Sequence, residues 1–475
     1  MAAAPETLEI DRTRGLRTDL GALVALSLVL RLPAFLASAH PTFDDGVFGA
    51  SAVAMRAGGQ PFRDVFSSQG PLFLPLVWLG DVVGFRTADS PRVLAVAAGL
   101  ALVAGVYLAG RAISDRAGAR LAAILTTACA STLWVTGPLA ADGVALAFAV
   151  GTVALLLRWR DDLTTRRAIW LGLGISATIS VKALLAPVIV PVAIALLAGR
   201  RLLPIVAGAA AAVGSHLVLW LPWGPANVWD QAYAYHLDVA GDRTPGANLA
   251  KVISTLGDRD LPVVVAAALA LTAVIAGRRA LPQDTWRRLT APDVLIGSWL
   301  ATTMVLLLTE HPLWRPHISH LVPPLALLAA RHRPPVRVLV AAAVLVAPYH
   351  LVHAWPILDP DGYNARTEAV VERLRDLPPG GLAMSDDPGI VWRAGRRTPP
   401  DLVDASILRI QTGDLTARSI AAAAAEPDVC AVVVRSRVRW GSFADLPDRL
   451  AEVGYEVVQE GPTAERLYLR DCDPS

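Results

Sequence analysis

Charge is scarce in this chain. Only 18% of its 475 residues are Asp, Glu, Lys or Arg, against about a quarter in soluble globular domains, and this excludes an ordinary water-soluble enzyme. Lysine occurs twice, as Lys182 and Lys251, so a Lys near other polar groups stands out. Three cysteines do not make a disulfide framework: Cys129 lies in an apolar run, whereas Cys430 and Cys472 lie in a polar tail and are free to pair in an oxidising compartment. There is no glycine-rich phosphate loop, zinc-ligand cluster or internal repeat, which argues against ATP-driven chemistry. No cofactor is required on this reading, a divalent metal stays open, and no nucleic-acid partner is expected. Aromatic residues make up only 6%.

What is abundant is Ala, Leu and Val. Hydrophobic residues reach 54% and the mean hydropathy is +0.47, the composition of a multi-pass helical membrane protein whose spans pack through small residues. Runs near 18–38, 92–112, 118–137, 142–158, 168–181, 184–199, 202–222, 260–277, 293–309, 318–331 and 335–354 give about eleven candidate transmembrane helices. The first is read as a retained anchor rather than a cleaved signal, because Arg31 and Pro33 interrupt it. The run 71–85 is short, holds two prolines and carries Asp81, expected to be solvated. If that run does not cross, 19 basic residues fall on one side of the bilayer and nine on the other; if it crosses, the bias collapses. The positive-inside rule therefore places the N-terminus in the cytoplasm, residues 39–91 in a long external loop with juxtamembrane helices, and the C-terminus outside.

Periodic apolar spans stop near residue 356. The expected organisation is an all-α polytopic membrane bundle over 1–355 and a soluble extracytoplasmic α/β domain over 356–475. Strands are expected near 381–384, 429–435, 455–459 and 466–470, with helices near 365–376, 414–425 and 443–453.

This topology gathers the unusual polar residues on one face: Asp44 and Asp45 after the first span, Asp142 at the head of the fourth, Lys182 between the fifth and sixth, and His236 and Arg243 after the seventh. The segment "EHPLWRPHISH" (310–320), with Arg315 and His320, joins them. Ionisable groups at membrane depth are costly and usually functional. Two neighbouring carboxylates in a partly desolvated site cannot both ionise cheaply, so one is a suitable general base. A base suits an acceptor hydroxyl attacking an anomeric carbon, and a lipid-phosphate leaving group needs Lys or Arg nearby. Simpler roles compete with these. Asp44 and Asp45 fit as caps of a helix beginning at Gly46, and Asp142 fits equally as a cap of the fourth span. Lys182 fits as a snorkelling helix-end residue, and Arg243 and Arg315 as lipid-headgroup contacts. Arg63 and Asp64 fit as a local pair. His236, His311, His317 and His320 are metal-ligand candidates or, with Tyr235 and Trp314, part of an aromatic belt.

The stretch "PTFDDGVFGASAVAMRAGGQPFRDVFSSQGPL" (41–72) resembles the first external loop of GT-C-fold glycosyltransferases, in the group containing protein O-mannosyltransferases and the lipid A aminoarabinose transferase. That group has an acid pair after the first span, a helix, a Pro-Tyr-Arg-Asp-like turn and a Pro-Leu. The corresponding residues here are Asp44-Asp45, Pro61-Phe62-Arg63-Asp64 and Pro71-Leu72. Asp142, Lys182 in "ISVKALLAP", "LPWGPANVWDQAYAYHLDVAGDR" and "HISHLVPPLALLAA" follow in the family's order, and "RRTPPDLVDASILRIQTGDLT" is similar to the external domain of actinobacterial relatives. The second acid is Asp where Glu is commoner, and Thr-Lys-Gly is reduced to Val181-Lys182-Ala183.

The resemblance implies an inverting transferase in the cell membrane that moves a sugar from a polyprenyl-phosphate donor to a glycan, lipid or protein acceptor. Asp44 would be the catalytic base and Asp45 and Asp142 possible second acids. Lys182, Arg243 and Arg315 would bind the donor phosphate, and Arg63, His236 and His320 the substrate. A lipid-linked-sugar transporter or flippase and a non-catalytic cell-envelope scaffold are the rival readings.

Overall fold

A computed structural model of the chain describes residues 5–36, 42–237, 239, 244–277, 289–361, 364–461 and 465–472. It is mostly helical up to residue 358. The first helices are α1 (Pro5–Leu36), α2 (Phe43–Arg56), α3 (Phe73–Val83), α4 (Val93–Ile113), α5 (Arg116–Ala128), α6 (Ala130–Thr136), α7 (Ala141–Trp159) and α8 (Thr165–Val181). Arg31 and Pro33 do not end α1; the buried Arg31 guanidinium donates from Nε to Thr136 Oγ1 at 2.8 Å and from Nη1 to Ser27 Oγ at 2.9 Å, while its Nη2 has no hydrogen-bond partner among the described residues.

Among the described residues each of the eleven expected runs is largely helical, but they are unequal. Among the described residues six helices are long and apolar enough to cross a bilayer: Gly15–Leu36, Ser90–Ile113, Ala141–Trp159, Leu202–Trp223, Pro292–Thr309 and Val336–Leu358. α5 and α6 make a seventh if taken as one span bent by 66°. Their break at Cys129 frees backbone groups that apolar surroundings cannot solvate. His350 Nε2 donates to the Ala128 carbonyl at 2.8 Å, and the Ser131 N–H donates to Asp260 Oδ1 at 3.1 Å. The remaining apolar helices are shorter.

α3 does not continue into a span. It buries Phe73, Leu74 and Val77 and exposes Trp78, Leu79 and Val83, an apolar outer face suited to the bilayer interface. Asp81 corrects the expectation of a solvated acid. It is buried, and Arg56 at the end of α2 binds both its oxygens, with Nε–Oδ2 at 2.8 Å. That pair ties α2 to α3.

The C-terminal segment forms a four-stranded sheet from β1 (Leu382–Ser385), β2 (Val429–Val434), β3 (Glu456–Glu460) and β4 (Arg466–Leu469), in the order β1-β2-β4-β3. β1 and β2 are parallel and the other pairings antiparallel. Every residue of β2 is buried, as a central strand covered on both faces requires. Cys430 on β2 is disulfide-bonded to Cys472, and Cys129 is free and buried.

This α/β unit rests on the first loop. A Cβ on Gly49, in the middle of α2, would lie 2.3 Å from the Trp392 ring; only glycine lets the indole approach the helix backbone so closely. Arg439 lies over the Phe43 ring at 4.5 Å. A Gly49→Val substitution is therefore expected to expel Trp392. It should raise protease sensitivity between residues 356 and 400 in the detergent-solubilised protein; an unchanged digestion pattern would show that Trp392 does not hold this contact.

Candidate functional site

The acid pair separates into two jobs. Thr42 is the N-cap of α2, its hydroxyl accepting from the Asp45 N–H at 3.1 Å, so the capping role open to the aspartates belongs to Thr42. Asp45 is completely buried. Its carboxylate receives Arg92 Nη2 at 2.5 Å, Arg92 Nε at 3.1 Å and the Leu139 N–H at 2.8 Å. Arg92 closes a 3₁₀ turn (Ser90–Arg92) just before α4, and Leu139 lies just before α7. Asp45 thus joins three segments.

Asp44, one residue earlier, is placed differently. It is half-buried and makes no hydrogen bond or ion pair among the described residues. Burial pushes its carboxyl up to about 6; the nearby Lys182 ammonium opposes the shift, Asp142 and Asp404 reinforce it, and His317 opposes it.

Asp142 sits in the first turn of α7 and is 1% exposed. Lys182 Nζ reaches its Oδ2 at 2.8 Å, and His320 Nε2 donates to its Oδ1 at 2.9 Å. The carboxylate holds both partners, so it is more than a helix cap. Lys182 is extended, at φ −151° and ψ 115°, between the end of α8 and a 3₁₀ segment, Ala183–Val188. The carbonyls freed there receive the first loop, with Leu72 N–H on Ser180 at 2.9 Å and Gly70 N–H on Val181 at 3.1 Å. Pro71-Leu72 of the opening loop is therefore fastened beside Lys182. His317 Nδ1 contacts Glu310 Oε1 at 2.8 Å, and the His317 and His320 rings lie parallel, 6.1 Å apart.

At the rim, His236 Nε2 donates to the Ser68 carbonyl at 2.8 Å. The Ser68 hydroxyl donates to Asp404 Oδ2 at 3.1 Å. Asp404 comes from the α/β unit and was not singled out in the sequence; its only signal was membership of the "RRTPPDLVDASILRIQTGDLT" segment.

The other expected residues lie elsewhere. Arg63 is exposed and donates to Gln60 Oε1 at 3.0 Å, while Asp64 accepts from the Gln60 N–H at 2.8 Å; the two share Gln60 rather than pairing with each other. Arg315 is exposed and has Lys251 and Arg259 as electrostatic neighbours. Arg243 lies outside the described residues. Among the described residues no group of three or more His, Cys, Asp or Glu side chains could hold a metal ion.

No family model and no curated protein matches the sequence. Solved structures do. ArnT from Cupriavidus metallidurans, bound to undecaprenyl phosphate, superposes with a TM-score of 0.64 over 94% of this chain and 97% of its own, at 13% identity. The oligosaccharyltransferase AglB from Archaeoglobus fulgidus, in complex with an inhibitory peptide and a dolichol-phosphate, gives 0.53 over 96% and 74%, at 12% identity. The chain has the GT-C fold. The arabinofuranosyltransferase AftD from Mycobacteria gives 0.53 at 16% identity, and this GT-C chain, aligned over 97% of its residues, spans only 40% of AftD. The likeness to ArnT runs nearly end to end on both chains, so the GT-C comparison includes the C-terminal α/β unit as well as the bundle.

Proposed function

We propose that this protein is an inverting glycosyltransferase of the cell membrane that moves a sugar from a polyprenyl-phosphate donor to an acceptor hydroxyl on the external face. The observation that carries the reading is Asp44: a half-buried carboxylate without a partner among the described residues, with the anchored Lys182 as its electrostatic neighbour. The lipid phosphates bound by ArnT and AglB support the donor class.

In the reaction the acceptor oxygen attacks the anomeric carbon from the face opposite the phosphate. Asp44 takes the acceptor's proton, the C–O bond to the phosphate breaks, and the phosphate leaves with that electron pair. Lys182 gives one N–H to Asp142 and has two left for the departing oxyanion. Asp142 and His320 orient the ammonium rather than touch the sugar, which makes them positioning residues. The eleven-span topology, a cytoplasmic N-terminus and an extracytoplasmic α/β unit complete the proposal. They place Asp44, Asp142, Lys182 and His320 together at the outer surface.

Purified full-length chain in lipid nanodiscs, incubated with radiolabelled polyprenyl-phosphate mannose or arabinose, tests the class. Release of the sugar or its transfer to a hydroxyl acceptor is the expected result. Uptake of intact lipid-linked sugar into sealed vesicles without bond cleavage would make the chain a transporter. Neither behaviour would leave a scaffold.

A further inference from the structure

The α/β unit holds a cleft of about 310 Å³ at the carboxyl end of β2, partly open to solvent. In open α/β sheets that end of the strands is where ligands bind. No residue lining the cleft belongs to the site around Asp44. Its walls bring together segments far apart in sequence: the first turn of the helix Ala365–Arg375, the end of β2, and the end of β3 beside the start of β4.

Arg366, Arg435 and Arg466 come from three different segments and line this one concavity. Glu465 is the sole carboxylate among the lining residues, so positive charge is in excess. Arg435 is held in place on several sides. Its N–H donates to Asp386 Oδ1 at 2.8 Å, its Nη1 to Thr367 Oγ1 at 3.0 Å, and its Nε lies 3.6 Å from Asp387 Oδ2. Thr367 is fixed in turn, its N–H donating to Asn364 Oδ1 at 2.9 Å. A guanidinium ordered before an anion arrives loses little further freedom on binding it. Arg366 is exposed and makes no hydrogen bond or ion pair among the described residues. Arg466 meets Glu460 at 3.3 Å, with both side chains well exposed; a solvated pair of this kind is weak and can be exchanged for a better anion.

The rest of the lining limits the ligand. Val370, Ile390, Val433 and Leu467 are all buried and give the cleft an apolar surface. A bare inorganic anion makes no use of that surface, whereas the C–H face of a sugar ring covers it. The volume lies at the lower end of the range for small-molecule sites, about 300–1,000 Å³, which suits a single ring. A neutral sugar leaves the guanidinium groups without an anion; a phosphate or carboxylate matches their planar fork.

We propose that this cleft binds an anionic sugar unit, a sugar phosphate or a uronic acid, through Arg366, Arg435 and Arg466. The site goes beyond the transferase reading, and its test needs no turnover. Full-length chain in nanodiscs of zwitterionic lipid, which present no headgroup of net negative charge, would be titrated with glucose 6-phosphate, glucuronate and glucose. Binding would be followed by saturation-transfer NMR, with inorganic phosphate added as a competitor.

Glucose 6-phosphate or glucuronate is expected to bind about tenfold or more tightly than glucose, and the stronger of the two identifies the anionic group. Arg366→Gln and Arg466→Gln should each weaken that anion about ten- to a hundredfold, the range for losing one hydrogen bond to a charged group. Their unfolding temperatures should stay at the wild-type value, because both side chains are solvent-accessible. Arg366→Lys keeps the charge without the fork and should fall between. Equal affinity for glucose and the anions, or wild-type affinity in both glutamine variants, would overturn the proposal. Inorganic phosphate that competes as well as glucose 6-phosphate would overturn the sugar as the ligand class. A polyprenyl phosphate added to the nanodisc fills the bundle's phosphate site on the transferase reading. Anion binding should persist in its presence; displacement would place the anion beside Lys182 and remove it from the cleft.

Discussion

Asp44→Asn is expected to lower sugar transfer by about 10²- to 10⁴-fold, the usual contribution of a positioned general base, without loss of folding. Asn keeps the shape and cannot take the acceptor's proton. The sign of the stability effect follows from the carboxyl's environment. Burial raises its pKa from 3.8 to about 6, so its contribution to stability is fully present below about 3.8 and is lost as the pH rises through about 6. At neutral pH the ionised group is a burden on the folded state, and the neutral amide removes it. The variant should therefore unfold at the same or a higher temperature than the wild type while being nearly inactive. The same carboxyl predicts the acid limb of the wild-type pH profile. Transfer should rise with pH, with a midpoint near 6, and fall about tenfold for each unit below it. A flat profile between pH 5 and 7, or near-wild-type transfer by Asp44→Asn, would remove Asp44 from the chemistry.

Asp44, Asp142 and Lys182 were legible because their signal is local. Each is an ionisable residue at the end of an apolar run, and the bias of basic residues assigned those ends to one face. What escaped was pairing across sequence. Asp45 and Asp44 are indistinguishable as letters, yet one is sealed by Arg92, 47 positions later, and the other is left open. Asp81 looked like a solvated acid on a surface helix until Arg56 was seen against it. Asp404 lies 336 residues from Ser68, and no periodicity connects the two. The lengths of the helices were not legible for a different reason. The segment Val322–Arg331 is a helix of 10 residues and Thr165–Val181 one of 17, short of the roughly 20 that cross a bilayer upright. The apolar run containing the former continues upstream as a 3₁₀ turn (Arg315–Leu321) that carries His317 and His320. Hydropathy does not separate the two pieces, whereas the fold uses the 3₁₀ piece to carry polar groups into the site.

The same division of labour yields the largest expected effect on stability. Arg92→Met leaves Asp45 buried with the Leu139 N–H as its remaining donor from outside its own helix. Removing one partner of a buried pair costs about 3–5 kcal/mol, because the other charge is left uncompensated. Here the cost falls on the start of α2, since Asp45 fastens that turn to the segments preceding α4 and α7. Arg92 also lies under the Trp392 ring at 4.9 Å, so the substitution loosens the α/β unit's grip on α2 as well. Arg92→Met should therefore lower the unfolding temperature in nanodiscs and reduce transfer through displacement of Asp44, without moving the midpoint of the pH profile in the molecules that remain folded. The double variant Asp45→Asn/Arg92→Met removes both charges together and should recover much of the lost stability, because replacing a buried pair is far less harmful than breaking it. Additive losses in the double variant would mean that the two side chains act independently. If the double variant also regains transfer, the second acid of the loop is a fastening for the first and takes no part in the reaction.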